Sequence, residues 1–195
     1  MRLKGVKIGM VLTGSHCTMD EVLVAVENLK KEGARITPIL SYTVDQVDTR
    51  FYKVEDLKAR LIELADTQII NSIPDAEPIG PGKLLDLVIV APATGNTIAK
   101  LANGITDTPA LMAVKAHLRN QKPVVIGVST NDGLGTNARN IGLLLNAKNI
   151  YFIPFRQDNP REKANSLVAE MSMMAETAIS ALQGKQIQPV LLGPK

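Results

Sequence analysis

The chain has 195 residues, 45% of them apolar and only 3% aromatic, and its 22 Lys and Arg against 19 Asp and Glu leave a net charge of +3. The apolar content and a mean hydropathy of +0.07 exclude a disordered chain, and the length suits one domain, residues 1–195, with one sizeable core. The scarcity of aromatic residues, with no dense Lys/Arg block behind a pI near 9.0, argues against a base-stacking nucleic-acid binder. The one cysteine, Cys17, excludes an intrachain disulfide framework and suits a reducing compartment. With only His16 and His117 beside it, no zinc-ligand spacing can be assembled. The apolar stretch near the N-terminus is too short for a secretory signal, and no run approaches membrane-spanning length, so a cytoplasmic protein is expected.

In chain order, Val6–Leu12 is β-branched and apolar and reads as a buried strand ahead of Gly14. Val22, Ala25, Val26 and Leu29 recur at helical spacing over Met19–Glu32, with Gly33 as the stop signal. Arg35–Leu40 is a second strand, and Val54–Ala65 an amphipathic helix. Residues 66–83 hold several Pro and Gly and no periodicity, which reads as a long loop. Leu84–Ala91 is a third strand, followed by helices over Thr97–Ala102 and Ala110–Leu118. Pro123–Val128 is a fourth strand, Asn137–Asn146 a helix and Ile150–Ile153 a short fifth strand. A long helix is expected over Asn165–Leu182, with Met171, Met173 and Met174 as core or interface filler, and an extended arm over 185–195. Strands alternating with helices predict an α/β fold, a doubly wound parallel sheet of the flavodoxin-like or Rossmann-like three-layer kind.

Four strand ends carry small polar residues: Thr13-Gly14-Ser15, Ser41, Pro92–Thr97 and Ser129-Thr130-Asn131. In such a sheet these ends converge on one edge, where hydroxyls, glycine amides and a helix N-terminus suit a phosphate ester. Each taken alone is better explained as a helix cap; the four together point to a ligand. The first loop is not G-x-G-x-x-G and there is no Walker A loop, which favours a mononucleotide such as FMN over a dinucleotide.

Pro92-Ala93-Thr94-Gly95-Asn96-Thr97, with Ile98–Gly104 after it, is similar to the P-A-S/T-A-N-T segment of the flavin-containing cysteine decarboxylase family, with Gly95 where Ala is usual. The resemblance runs over roughly Lys7–Ile153. It implies FMN held by Gly14, Ser15, Ser41 and Pro92–Thr97, and homotrimers or larger assemblies with the flavin near the boundary between protomers. Thr13 and Ser129 join that set as the flanking strand-end hydroxyls. Two departures stand out: Ala76–Gly82 lacks the His that the family's decarboxylases carry before the third strand. After the fourth strand, Ser129–Gly135 keeps only Asn131 of their P-x-M-N-x-x-M-W segment.

Thr13–Thr18, Pro154–Pro160 with Asn165–Ala169, and Gly184–Val190 resemble the branch of this family that serves dipicolinate formation in sporulating bacteria. That resemblance implies oxidation of a dihydrodipicolinate-type intermediate to pyridine-2,6-dicarboxylate in the mother-cell cytoplasm. It also implies a dinucleotide-fold partner, the A subunit, which would carry NAD(P). Asn131 and His16 are the candidates for catalysis, and Arg139 and Arg156 for binding two substrate carboxylates. Two other readings stay open, a non-redox scaffold for the A subunit, and a diverged FMN-dependent decarboxylase. Of the remaining polar residues, Cys17 beside His16 reads as a ligand contact or cap in preference to a nucleophile. His117, between Lys115 and Arg119, reads as a solvated helix end.

Overall fold

Strand β1 (Lys7–Leu12) leads through a 3-10 turn into helix α1 (Met19–Lys31), and then come β2 (Arg35–Leu40), α2 (Tyr42–Gln46), α3 (Val54–Leu64) and α4 (Ile73–Ala76). The middle of the chain supplies β3 (Leu87–Ala93), α5 (Gly95–Ala102), α6 (Pro109–Leu118), β4 (Val124–Thr130), α7 (Ala138–Leu145) and β5 (Ile150–Phe152). Two short strands, β6 (Phe155–Arg156) and β7 (Leu167–Ala169), precede the last helix, α8 (Met174–Leu182). This computed structural model describes residues 1–193. The last two positions of the expected C-terminal arm, Pro194 and Lys195, lie outside the described residues.

The seven strands form one sheet in the order β2-β1-β3-β4-β7-β6, with β5 paired to the first half of β4. From β2 to β5 all pairs are parallel, as expected of right-handed β-α-β crossovers. Parallel strands are covered on both faces, so they read as continuous apolar runs. Accordingly, all of β3 is buried, and β1 is buried after Lys7. Helices α1 and α8 pack together on one face; α6 lies across β1–β4 with α4 against it. The stop after α1 works as the sequence predicts: Gly33 takes φ +92, and its amide bonds to the Lys30 carbonyl at 2.8 Å.

Three expectations need correction. The stretch expected as a helix over Asn165–Leu182 is helical only from Met171. Ahead of that, Leu167–Ala169 pairs antiparallel with Ser129–Thr130 of β4. The cause is geometric: β5 stops at Phe152, opposite Ile126, which leaves the second half of β4 with an open edge. The methionines behave as filler, with Met171 and Met174 buried. The segment 66–83 is not a featureless loop: Ser72 caps α4 by accepting from the Asp75 amide at 3.2 Å, and Ala76 and Ile79 are buried. Finally, β3 begins at Leu87, not Leu84, and runs on through Pro92, whose bond to Ala91 is cis. Among the described residues no helix is long and apolar enough to cross a membrane.

Candidate functional site

Four adjacent strands, β2, β1, β3 and β4, end on the same edge of the sheet and bring Ser41, Thr13-Gly14-Ser15, Pro92–Thr97 and Ser129–Asn131 to one place. The order β2-β1-β3 has its switch point between β1 and β3, where open α/β sheets form their ligand crevice. The hydroxyls there divide into two groups. Thr13 is buried and spent on structure: its Oγ1 donates to the Pro92 carbonyl at 2.6 Å and accepts from the Thr94 amide at 3.0 Å, tying β1 to β3. Thr94 is a helix cap, accepting from the Thr97 amide at 3.2 Å, and the Thr97 hydroxyl lies 2.9 Å from that of Thr94. Ser129 Oγ lies 2.6 Å from Ser15 Oγ and accepts from Thr18 at 3.2 Å.

Ser41 is different. Its hydroxyl is buried, makes no cap to α2 and has no hydrogen-bond partner among the described residues. A buried hydroxyl without a partner costs about 1–3 kcal/mol, and this one lies at the end of β2 on the crevice edge. Nearby, a Cβ added to Gly14 would stand 3.3 Å from Thr43 Cγ2 and 3.5 Å from His16 Nε2, so the glycine keeps the first loop low and open. Pro92, Ala93 and Gly95 are buried beneath the crevice, and Asn96 is exposed at its rim. The amides of Gly95 and Asn96, in the first turn of α5, have no acceptor within the helix. This edge thus offers hydroxyls and amides to an anion without a basic side chain.

Of the two candidates for catalysis, His16 is half-buried, and its Nδ1 hydrogen-bonds the Tyr52 hydroxyl with the rings 5.2 Å apart. Burial lowers the His16 pKa from its ordinary value and pushes the Tyr52 phenol up to about 12, so at neutral pH the imidazole is uncharged and the phenol protonated. Asn131 is exposed and its Oδ1 accepts weakly from Ser166 at 3.4 Å. Cys17 is exposed.

The two arginines do not converge. Arg139 is exposed on the first turn of α7. Arg156 pairs with Glu170 at 2.9 Å, while its Nε is buried without a partner. Arg156 does share a sheet row with Ser129, since both are register partners of Val168.

The expectation for His117 fails. It is 1% exposed, its Nε2 donates to the Pro123 carbonyl at 3.1 Å, and burial lowers its pKa to about 4. Its spacing with Ala110, Ala113 and Val114 places it on the sheet-facing stripe of α6, a signal the charged neighbours Lys115 and Arg119 obscured. Two features escaped the sequence altogether. Tyr52 lies in a stretch without periodicity. The other is a polar chain on the far side of α5: Asp132 accepts from Thr130 at 2.5 Å and from Asn137 at 2.8 Å, and Asn137 accepts from Asn140 at 2.8 Å.

A parallel sheet with this switch point and a hydroxyl-lined crevice is the architecture of flavin-binding α/β proteins, and the chain belongs to the Flavoprotein family, which it matches over residues 1–177. Within that family it is similar to the dipicolinate synthase B subunit of Bacillus subtilis (strain 168), at 47% identity over 97% of this chain and 95% of that one. The crystal structure of the dipicolinate synthase B subunit from Bacillus halodurans C superposes with a TM-score of 0.92 at 49% identity, covering 100% of both chains. The FMN-dependent cysteine decarboxylase SpaF, only 16% identical, shares the fold with a TM-score of 0.64 over 94% of this chain and 99% of its own.

Proposed function

We propose that this chain is the flavin-binding subunit of a dipicolinate synthase, and that its FMN site serves oxidation of a dihydrodipicolinate-type intermediate to pyridine-2,6-dicarboxylate. The observation that carries the reading is the buried, unpartnered hydroxyl of Ser41 on the same edge as the Gly14–Ser15 loop and the first turn of α5. A phosphate ester accepts from such donors and gains from the positive end of the helix. Ser41, the Gly14 amide, and the Gly95 and Asn96 amides would hold that phosphate, with the Ser15 amide, which donates to the Thr13 carbonyl at 2.9 Å, fixing the turn beside it. Thr13, Pro92, Ala93, Thr94, Thr97 and Ser129 would shape the floor, most of their hydroxyls being committed to neighbours.

Aromatising a dihydropyridine ring removes a hydride and a proton, and a bound flavin supplies the hydride acceptor. The chain's own part is to place the ring and take the proton. With Nδ1–H donating to the Tyr52 oxygen, His16 presents Nε2 as a free acceptor beside Gly14, and burial keeps it neutral. Asn131 is the polar group on the β4 side of the crevice. Of the two arginines, Arg156, with its unpartnered Nε and its place in the same sheet row as Ser129, is assigned to a substrate carboxylate; Arg139, exposed on α7, is left out of that role.

The same proposal includes a partner, the A subunit, carrying NAD(P), assembly of this chain into homo-oligomers, and a place in the cytoplasm of the sporulating mother cell. The names of the relatives, which denote a B subunit, support the partner.

FMN titrated into the purified chain is expected to lose fluorescence with micromolar affinity, and Ser41→Val to weaken binding at least tenfold without loss of fold. No spectral or thermal effect at high micromolar FMN would overturn the flavin site. Mixed with the A subunit, the Ser41→Val chain should form dipicolinate more slowly; undiminished formation would reduce this chain to a scaffold.

A further inference from the structure

The sheet has a second opening, at the opposite ends of its strands. A cavity of about 640 Å3 lies between the start of β1, the start of β2 and the segment leading into β3. That is within the ordinary range for small-molecule sites, roughly 300–1,000 Å3. None of the four polar strand ends lines it.

Its rim carries two cations, Lys7 and Arg35, and one acid, Asp66. Lys7 and Arg35 are register partners across the parallel pair β1–β2, so their side chains leave the same face about 4.8 Å apart at the backbone. Like charges placed directly opposite one another are destabilising. Neither residue is in an ion pair among the described residues, because the acids nearby are engaged elsewhere. Asp66 pairs with Lys30 at 2.8 Å and accepts from the Ile36 amide at 2.8 Å. Asp86 pairs with Lys122 at 3.1 Å and accepts from the backbone amide of Lys7.

Beside the polar Thr37, Thr67 and Gln68, the cavity has an apolar wall. Ile70, Ile79, Leu84 and Leu85 line it, and Leu84 leaves 46% of its surface to solvent. A Cβ on Gly9 would stand 2.5 Å from Leu85 Cδ1, so with glycine at this position Leu85 packs directly over β1. A paired positive rim beside an apolar wall matches a ligand with two anionic groups on a flat apolar body. An inorganic anion would satisfy the charges and leave the wall unused.

We infer that this cavity binds small aromatic dicarboxylates, with Lys7 and Arg35 each taking one carboxylate. The identification of the ligand as the dipicolinate product rests on the function proposed above. The binding itself does not, because it needs neither FMN nor the A subunit.

Isothermal titration of the chain alone with dipicolinate, picolinate, pyridine and inorganic phosphate tests this. Dipicolinate should bind, picolinate at least tenfold more weakly, and pyridine and phosphate undetectably at the same concentrations. Lys7→Gln with Arg35→Gln should weaken dipicolinate at least tenfold. Both side chains are exposed, so the variant should fold, and an unchanged urea midpoint would verify it. Leu84→Asp should weaken dipicolinate independently of the rim, while Ser41→Val should leave it unchanged. The inference is overturned by absent binding at millimolar dipicolinate, by phosphate binding as tightly, or by affinity that survives the double variant or vanishes in Ser41→Val. If FMN fails to bind while dipicolinate follows the expected pattern, the flavin proposal falls and this one stands.

Discussion

A methyl group at position 95 would stand 2.6 Å from Asp132 Oδ1 and 2.7 Å from both Asn137 Nδ2 and Thr130 Oγ1. Those three atoms belong to one hydrogen-bonded chain that pins the β4–α7 loop against the first turn of α5. The loop and the missing methyl are therefore one adaptation. Gly95→Ala should cost about 1–3 kcal/mol, as overpacking does, read as a lower urea midpoint at unchanged slope. A midpoint within error of the parent would mean that the loop yields and the glycine is incidental. From the sequence, Gly95 was visible as a departure from P-A-S/T-A-N-T, but its reason was not, because the colliding atoms lie on residues 130–137. Ser41 was legible for the opposite reason: its place directly after an apolar strand already puts it on the ligand edge. What the sequence could not distinguish was Ser41, left without a partner, from Thr13 and Thr94, whose hydroxyls are consumed by neighbours.

Among the elements, the parallel strands were legible because burial on both faces leaves a continuous apolar run, and α1 because its stripe and its Gly33 stop agree. Strand β7 was not, since three residues provide too little of a period-2 signal against the helix that follows. Helix α6 shows how a charged neighbourhood can mislead. His117 sits on its buried stripe and donates to the Pro123 carbonyl just ahead of β4, so α6 is joined to the sheet by a group that must stay neutral. Burial sets its folded pKa at about 4, below the ordinary 6.5, so the unfolded chain binds the proton more readily. The resulting stability is fully present above pH 6.5 and is lost as pH falls through 4, by about 3 kcal/mol in all. Urea unfolding across that window should show the decline. His117→Gln, which can still donate an N–H to Pro123, should flatten it; a decline as steep in the variant would place the titrating group elsewhere.

Across the whole molecule, β1 serves both openings, with Lys7 at its first residue and Thr13-Gly14-Ser15 just past its last. Six residues of strand separate them by about 20 Å. Coupling over such a span requires an element with two discrete arrangements that both ligands bias. Strand β1 offers none: it is hydrogen-bonded to β2 on one side and β3 on the other, and buried from Ile8 onward. FMN affinity should therefore change less than twofold at saturating dipicolinate, and dipicolinate affinity should change by the same factor at saturating FMN, since linkage is reciprocal. Paired titrations measure both sides of that cycle. Competitive displacement would place the two ligands on one edge of the sheet. A reciprocal change of tenfold or more without displacement would require β1 or its neighbours to shift as a unit, which the packing of this sheet opposes.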